Sequence, residues 1–445
     1  MSANHSQAFR MGISAIGILC GLFCGGQSLR ANDVIPTELR DYVARAEELF
    51  SWKLRGTHAT ALGKVYDLDL TSQRWQGITW QHVLHVYEPE KVQHPEHVLL
   101  FVTGGKIGNR PGEKEAALGL QLAKLAQARV AMIYQVPNQP LFDGRVEDDL
   151  ITETWLRYLE SGDANWPLLL PMVKSAVKAM DAVEALAAEQ WHTKLKGFVI
   201  TGASKRGWTS WLTPVVDKRV LGTAPMVIDV LNFQPQMRHQ LDTWGKFSEQ
   251  IDDYTSKGLI KLEGESPREE RLRLIVDPYT YRASLTLPKL IVNGTNDRYW
   301  VVDATQFYWS DLVGPKYVLK VPNAGHGLDG GRELALRTIG AFFQHVVTGS
   351  TWPEISWNLD ATEEQLALQM TSSAKPVTAR FWTAVTDGMD FREAKWVAEA
   401  TDTSGASTQN WKVLRPANQH VACFGEMEFA ENGLTYSLCT LVGVK

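Results

Sequence analysis

Three residue types, in a suitable chain order, could carry out acyl transfer: a serine, an acid and a histidine. A serine hydroxyl is a poor nucleophile until a base takes its proton and donors hold the oxyanion. Ser204 closes the run Gly202-Ala203-Ser204, after an apolar strand over 196–201 and before a helix that starts near Lys205. A sharp strand-to-helix turn presents such a serine, and its crowded backbone demands small neighbours. The pattern departs at one place. The glycine wanted two positions after the serine is Arg206, with Gly207 one further on. The alternative role for Ser204 is a plain helix N-cap.

The base is expected late in the chain. Of eleven histidines, His326 alone sits in a loop directly after an apolar strand (317–321), with glycine on both sides. Small neighbours let an imidazole lean over strand ends toward the serine. The acid orients that imidazole and stabilises its charged form. Asp297 follows the apolar run 287–293 and lies between serine and histidine in chain order. Asp229, at the end of the preceding strand, is the rival. Asp303 is a third candidate, better suited to capping a helix. Two backbone N–H groups should hold the oxyanion, one from Lys205 and one from the loop at Gly104, Gly105 or Lys106, of which Gly105 is preferred. Lys205 and Arg206 also place two positive charges at a helix start. They could bind an anionic substrate group, or they are ordinary solvated side chains. Trp208, Trp211, Trp244, Trp300 and Trp309 are candidates for a cleft wall or for core.

The surrounding elements must deliver these residues to one place. A short helix over 36–50 leads into two alternating strands, 65–70 and 79–87. Apolar strands at 97–103, 129–134, 196–201, 220–229, 287–293 and 317–321 then alternate with helices at 113–126, 147–160, 172–190, from about 205, and 331–348. Fully apolar strands alternating with helices imply a mostly parallel sheet covered on both faces. With an antiparallel hairpin at its start, this is the plan of an α/β-hydrolase fold. The polar, aromatic stretch 230–285 interrupts the alternation and reads as an inserted cap, with helices over 238–254 and 269–276. After residue 350 short alternating runs (377–382, 394–398, 420–424, 436–442) predict a small C-terminal β-rich, sandwich-like domain over 351–445. The hydrolase domain is expected over 32–350.

The chain has 445 residues, 44% apolar and 21% charged, with a formal charge of −5. That balance fits folded domains and gives no cationic field for nucleic acid. Arg10, a run of about 16 apolar residues and Leu29-Arg30-Ala31 have the order of a secretory leader cut after Ala31. The run is short for a bilayer span. The expectation is a secreted or periplasmic protein with no stable membrane span after processing. Two of the four cysteines, Cys423 and Cys439, lie beyond the leader and near the C-terminus. An oxidised pair and two buried thiols are both open to them. No phosphate-cradling loop, zinc pattern or calcium loop is found, so no cofactor or metal is expected. The substrate expected is a small molecule, peptide or saccharide, and oligomeric state is left open.

Four ordered motifs carry a family resemblance: Gln135-Val-Pro-Asn-Gln-Pro-Leu141, Asp149-Leu-Ile-Thr-Glu-Thr-Trp155, Gly202-Ala-Ser-Lys-Arg-Gly-Trp208 and Pro322-Asn-Ala-Gly-His326. Together they resemble the PhoPQ-activated pathogenicity-related protein family over roughly 35–345. The resemblance implies an exported α/β-hydrolase-like protein with Ser204, Asp297 and His326 as its triad, and it supplies no substrate. The Gly-Ala-Ser-Lys-Arg-Gly element also resembles that of glucuronoyl esterases, where a basic residue directly follows the serine. Two functions follow as expectations. One is a secreted serine hydrolase of esters or amides. The other is a non-catalytic secreted binding or signalling protein on the same scaffold.

Overall fold

The apolar strands find each other in one sheet. The computed structural model describes residues 35–401 and 407–445, so the leader expected over 1–31 lies outside the described residues. Helix α1 (Glu38–Ala44) is shorter than its sequence pattern. Strands β1 (Ser51–Thr60), β2 (Gly63–Trp75) and β3 (Ile78–Pro89) form an antiparallel meander. Then β4 (His97–Val102), α2 (Glu113–Ala126), β5 (Arg129–Ile133), α3 (Glu147–Ser161), α4 (Leu169–Trp191), β6 (Gly197–Ala203), α5 (Lys205–Val216) and β7 (Val220–Met226) alternate.

The cap follows. It holds α6 (Phe233–Trp244), α7 (Asp252–Thr255) and α8 (Pro267–Val276), with 3-10 turns at Glu249–Ile251 and Pro278–Ser284. The single helix expected over 238–254 is broken, because Gly245 takes a left-handed conformation and ends α6. Strand β8 (Lys289–Gly294), α9 (Gln306–Trp309), β9 (Lys316–Val321) and α10 (Arg332–Thr348) complete this part.

The strand order is β1-β2-β3-β5-β4-β6-β7-β8-β9, antiparallel up to the β3/β5 pair and parallel from β5 onward. This is the α/β-hydrolase fold. Its central strands are buried along almost their whole length, which is why they read as apolar runs. In such a sheet the loops at the carboxyl ends of the strands gather at one edge. Here those loops follow β4, β6, β8 and β9, and they carry the candidate residues.

The C-terminal part is antiparallel β: β10 (Ile355–Ala361), β11 (Gln365–Ser372), β12 (Thr378–Thr386), β13 (Val397–Thr401), β14 (Thr408–Leu414), β15 (His420–Glu431), β16 (Leu434–Cys439) and β17 (Gly443–Val444). They form a three-stranded sheet, β10-β11-β14, and a five-stranded one built on β12 and β15. Phe381 of one sheet stacks on Trp411 of the other, with centroids 5.5 Å apart. Trp352 stacks on Tyr436 and meets Tyr317 of β9 edge-on, which seats these strands on the parallel sheet. Cys423 and Cys439 are free, buried thiols on β15 and β16, not an oxidised pair. Burial pushes the Cys423 thiol up to about 12. Among the described residues no helix is long and apolar enough to cross a membrane.

Candidate active site

Ser204 sits at the turn between β6 and α5 with φ 58° and ψ −124°, a sparsely populated region for a residue with a side chain. Such geometry costs on the order of 1–3 kcal/mol and persists only when the surroundings impose it. The Ser204 N–H donates to the Met226 carbonyl at 2.9 Å. The Ser204 hydroxyl makes no cap bond to the helix, so the N-cap role is not the one it plays. It lines a cavity beneath the cap instead.

The turn explains the misplaced glycine. A Cβ on Gly202 would lie 2.6 Å from the Arg206 carbonyl oxygen. A Cβ on Gly207 would lie 2.8 Å from the Met226 oxygen. The close approach between helix and strand therefore falls at Gly207, three places after the serine. Arg206 is left free to project away from that contact.

Asp297 and His326 are brought together. His326 Nδ1 lies 2.8 Å from Asp297 Oδ2, and the other Asp297 oxygen accepts the Tyr299 N–H at 2.9 Å. The Asp297 side chain is 4% exposed and the imidazole 29%. With Nδ1–H donating to the carboxylate, Nε2 is left as an acceptor. The Tyr299 ring packs against the imidazole at 4.2 Å and also lines the Ser204 cavity. The loops carrying the pair are zipped to each other: Asn296 N–H donates to the Ala324 carbonyl at 2.9 Å, and Asn323 N–H to Thr295 Oγ1 at 2.9 Å.

Asp229 is held elsewhere. Its carboxylate accepts from Thr305 Oγ1 at 2.7 Å, from the Tyr308 hydroxyl, and from Lys320 Nζ at 3.4 Å, all buried. The carboxylate that faces the imidazole is Asp297. Asp303, between β8 and α9, pairs with His239 of the cap at 2.6 Å.

The two cations beside the serine are neutralised. The Arg206 guanidinium makes a two-point contact with Glu147, at 2.7 and 2.8 Å, and its Nε donates to the Val136 carbonyl at 2.6 Å. Lys205 Nζ lies 2.9 Å from Asp148 and 3.3 Å from Glu147. Burial pushes the Glu147 carboxyl up, but the Arg206 hydrogen bonds and charge, with Lys205, outweigh it and hold the group at about 2. Neither Lys205 nor Arg206 is a solvated side chain, and neither has a charge unmatched for a substrate anion. Glu147 and Asp148 lie at the start of α3, just before the 149–155 motif. In the sequence they resemble the ordinary acids of a first helical turn.

The Lys205 amide opens α5, where no intrahelical acceptor exists. Gly105, at φ 120°, follows β4, and among the described residues its N–H has no hydrogen-bond partner. Both amides belong to the loops expected to form an oxyanion hole.

The cavity at Ser204 is walled by Trp155, Trp208, Ile228, Val230, Phe233, Met237, Ile251, Tyr254, Ile260, Tyr299 and Trp300, with Lys205 and Asp148 as its charged members. Its open volume is about 540 Å³, counting space continuous with solvent. Of the five tryptophans singled out, Trp208 and Trp300 line it. Trp211 is core, Trp244 lies under Arg392, and Trp309 packs on Trp357. Trp155 was not among them. Among the described residues no cluster of His, Cys, Asp and Glu is arranged to hold a metal ion.

A segment of the C-terminal part reaches this edge. Asn296 Nδ2 donates to the carbonyls of Ala394 (2.7 Å) and Arg392 (3.2 Å). Asn323 and Trp396 exchange two hydrogen bonds, at 2.9 and 2.8 Å. Arg392 pairs with Glu249 of the cap at 3.1 Å and lies over the Trp244 ring.

The profile of the PhoPQ-activated pathogenicity-related proteins matches residues 39–392. Autocrine proliferation repressor protein A of Dictyostelium discoideum is 32% identical over 381 residues, 81% of this chain and 76% of that protein. Acetyl xylan esterase 1 from Thermoanaerobacterium sp. JW/SL YS485 aligns at 16% identity over 71% of this chain and 95% of its own, with a TM-score of 0.49. A glucuronoyl esterase from Solibacter usitatus aligns at 12% identity over 68% and 91%, with a TM-score of 0.39. The family match spans the nine-stranded sheet, the cap and the loops that carry Ser204, Asp297 and His326, and the chain belongs to the PhoPQ-activated pathogenicity-related protein family.

Proposed function

We propose that this protein is an exported serine hydrolase that cleaves an ester or amide through an acyl-enzyme. The observation that carries the reading is the Ser204 turn: a strained serine with its hydroxyl unused by the helix and facing a cavity. Ser204 Oγ attacks the carbonyl carbon while His326 Nε2 takes its proton. Asp297 holds the imidazole by Nδ1 and stabilises the imidazolium. The Lys205 and Gly105 amides donate to the oxyanion. The imidazolium then protonates the leaving group, and a water activated by His326 releases the acyl group. No step requires a cofactor. Export rests on the leader over 1–31.

The name of the amoebal relative favours a second reading, a signalling protein on the same scaffold. A fluorophosphonate probe separates the two. Labelling of wild type that is lost in both Ser204→Ala and His326→Ala supports the hydrolase. A folded wild type that never labels refutes it.

A further inference from the structure

We infer that the cap encloses a two-chamber site for an uncharged, linear hydrocarbon chain carried by the substrate. This rests on the hydrolase reading and deepens it by naming a substrate class.

The first chamber is the cavity at Ser204. Its charged members face each other rather than a ligand: Lys205 Nζ is 2.9 Å from Asp148, and Asp148 also accepts the Tyr254 hydroxyl at 2.9 Å. Arg206 is held by Glu147. A substrate anion would have to displace a buried carboxylate from its partner, which costs several kcal/mol. What the chamber offers a ligand is therefore hydrocarbon and aromatic surface.

A second cavity shares four of these lining side chains, Trp155, Phe233, Met237 and Ile260, so the two cavities adjoin at them. Leu159, Leu259 and Leu272 extend it. Its open volume is about 520 Å³, again counting solvent-connected space. Its lining also carries Lys261 paired with Glu269 at 2.7 Å, and Arg273 paired with Glu265 at 2.9 Å. These lining charges are thus matched as well. The shared wall includes Met237 on α6, an unbranched side chain with three rotatable bonds that re-packs easily. A chain whose carbonyl or alkoxy end sits at Ser204 would cross this wall and end in the second chamber. A branched or charged group would stop in the first.

The test measures kcat/KM for p-nitrophenyl esters from acetate to dodecanoate, and for acetate esters of alcohols of the same lengths. The two series separate a chain on the acyl side from one on the leaving side. Each methylene that reaches apolar surface should raise kcat/KM about fourfold, from about 0.8 kcal/mol per buried CH₂. In Met237→Trp the ratio of decanoyl to acetyl turnover (or decyl to methyl) should fall at least tenfold. Binding is followed separately in Ser204→Ala by quenching of tryptophan emission with 10-bromo-1-decanol. Serine-dependent turnover that stays flat with chain length in both series, with no quenching, overturns this inference and leaves the hydrolase reading intact. Quenching that Met237→Trp abolishes, in a protein that turns over nothing, supports the two chambers and removes the hydrolase reading.

Discussion

Replacing Glu147 with Gln would keep the shape of the Arg206 clamp and remove its charge. The carboxyl falls from its ordinary value of 4.5 to about 2, because the Arg206 and Lys205 contacts outweigh the burial that opposes them. At about 1.4 kcal/mol per tenfold change in proton affinity, that fall corresponds to about 3.4 kcal/mol. The Glu147 side chain is 39% exposed, so solvent screening reduces this to about 2 kcal/mol. The folded value is depressed. The contribution is therefore fully present above pH 4.5 and is lost as pH falls toward 2. Glu147→Gln should be about 2 kcal/mol less stable than wild type in urea at pH 7, and the gap should shrink by more than half by pH 3. Other acid-sensitive groups are common to both proteins and cancel in the difference. Equal stability at pH 7, or a gap that persists unchanged at pH 3, would refute the reasoning.

Four further outcomes are expected. Asp297→Asn should slow fluorophosphonate labelling by about 10³–10⁴-fold. Asp229→Asn should leave the labelling rate of folded protein unchanged while lowering the melting temperature, because it strips the buried Lys320 of its opposite charge and leaves it only the Thr305 hydroxyl. His82 is buried between Ser72 and the Tyr134 carbonyl, and burial lowers its pKa to about 4. It stays neutral in the folded chain while the unfolded chain takes up a proton near pH 6.5. Stability should thus fall by about 3 kcal/mol between pH 6.5 and 4, and urea titrations of His82→Gln should show a shallower slope there. Asn296→Ala should slow labelling about fivefold, the equivalent of roughly 1 kcal/mol of lost hydrogen bonding, and shift the pH profile of labelling through the neighbouring Asp297–His326 pair.

What was legible in the sequence followed from local rules. Apolar runs of five to ten residues became the central strands, and of the candidates beyond β6, β8 and β9 the structure pairs Asp297 with His326 and places Ser204 at a cavity. The choice between Asp297 and Asp229 was not local. Both lie at or just beyond the end of an apolar run, and only the packing of α9 and β9 turns Asp229 toward Tyr308 and Lys320. Glu147 and Asp148 escaped notice for the same reason. They precede Lys205 by more than fifty residues, and nothing along the chain ties an acid opening α3 to a cation opening α5. Strand β1 was missed because it is a largely exposed edge with little apolar alternation. The pattern at 238–254 ran too long because its periodicity continues past Gly245, where the backbone turns left-handed.

The bonds from residues 392–396 to Asn296 and Asn323 bear on how the protein comes into being. The strand, turn and helix that present Ser204 are complete once about 230 residues have been made. The loops holding the acid and the base, zipped to each other, gain their outer clasp only after Trp396 has emerged. A chain part-way through synthesis thus holds the Ser204 turn before the outer support of the Asp297 and His326 loops exists. On the serine-hydrolase reading, Ser204 should reach its full reactivity only after residue 396 has been added, a gain of about fivefold over a chain whose acid and base loops are in place without that segment.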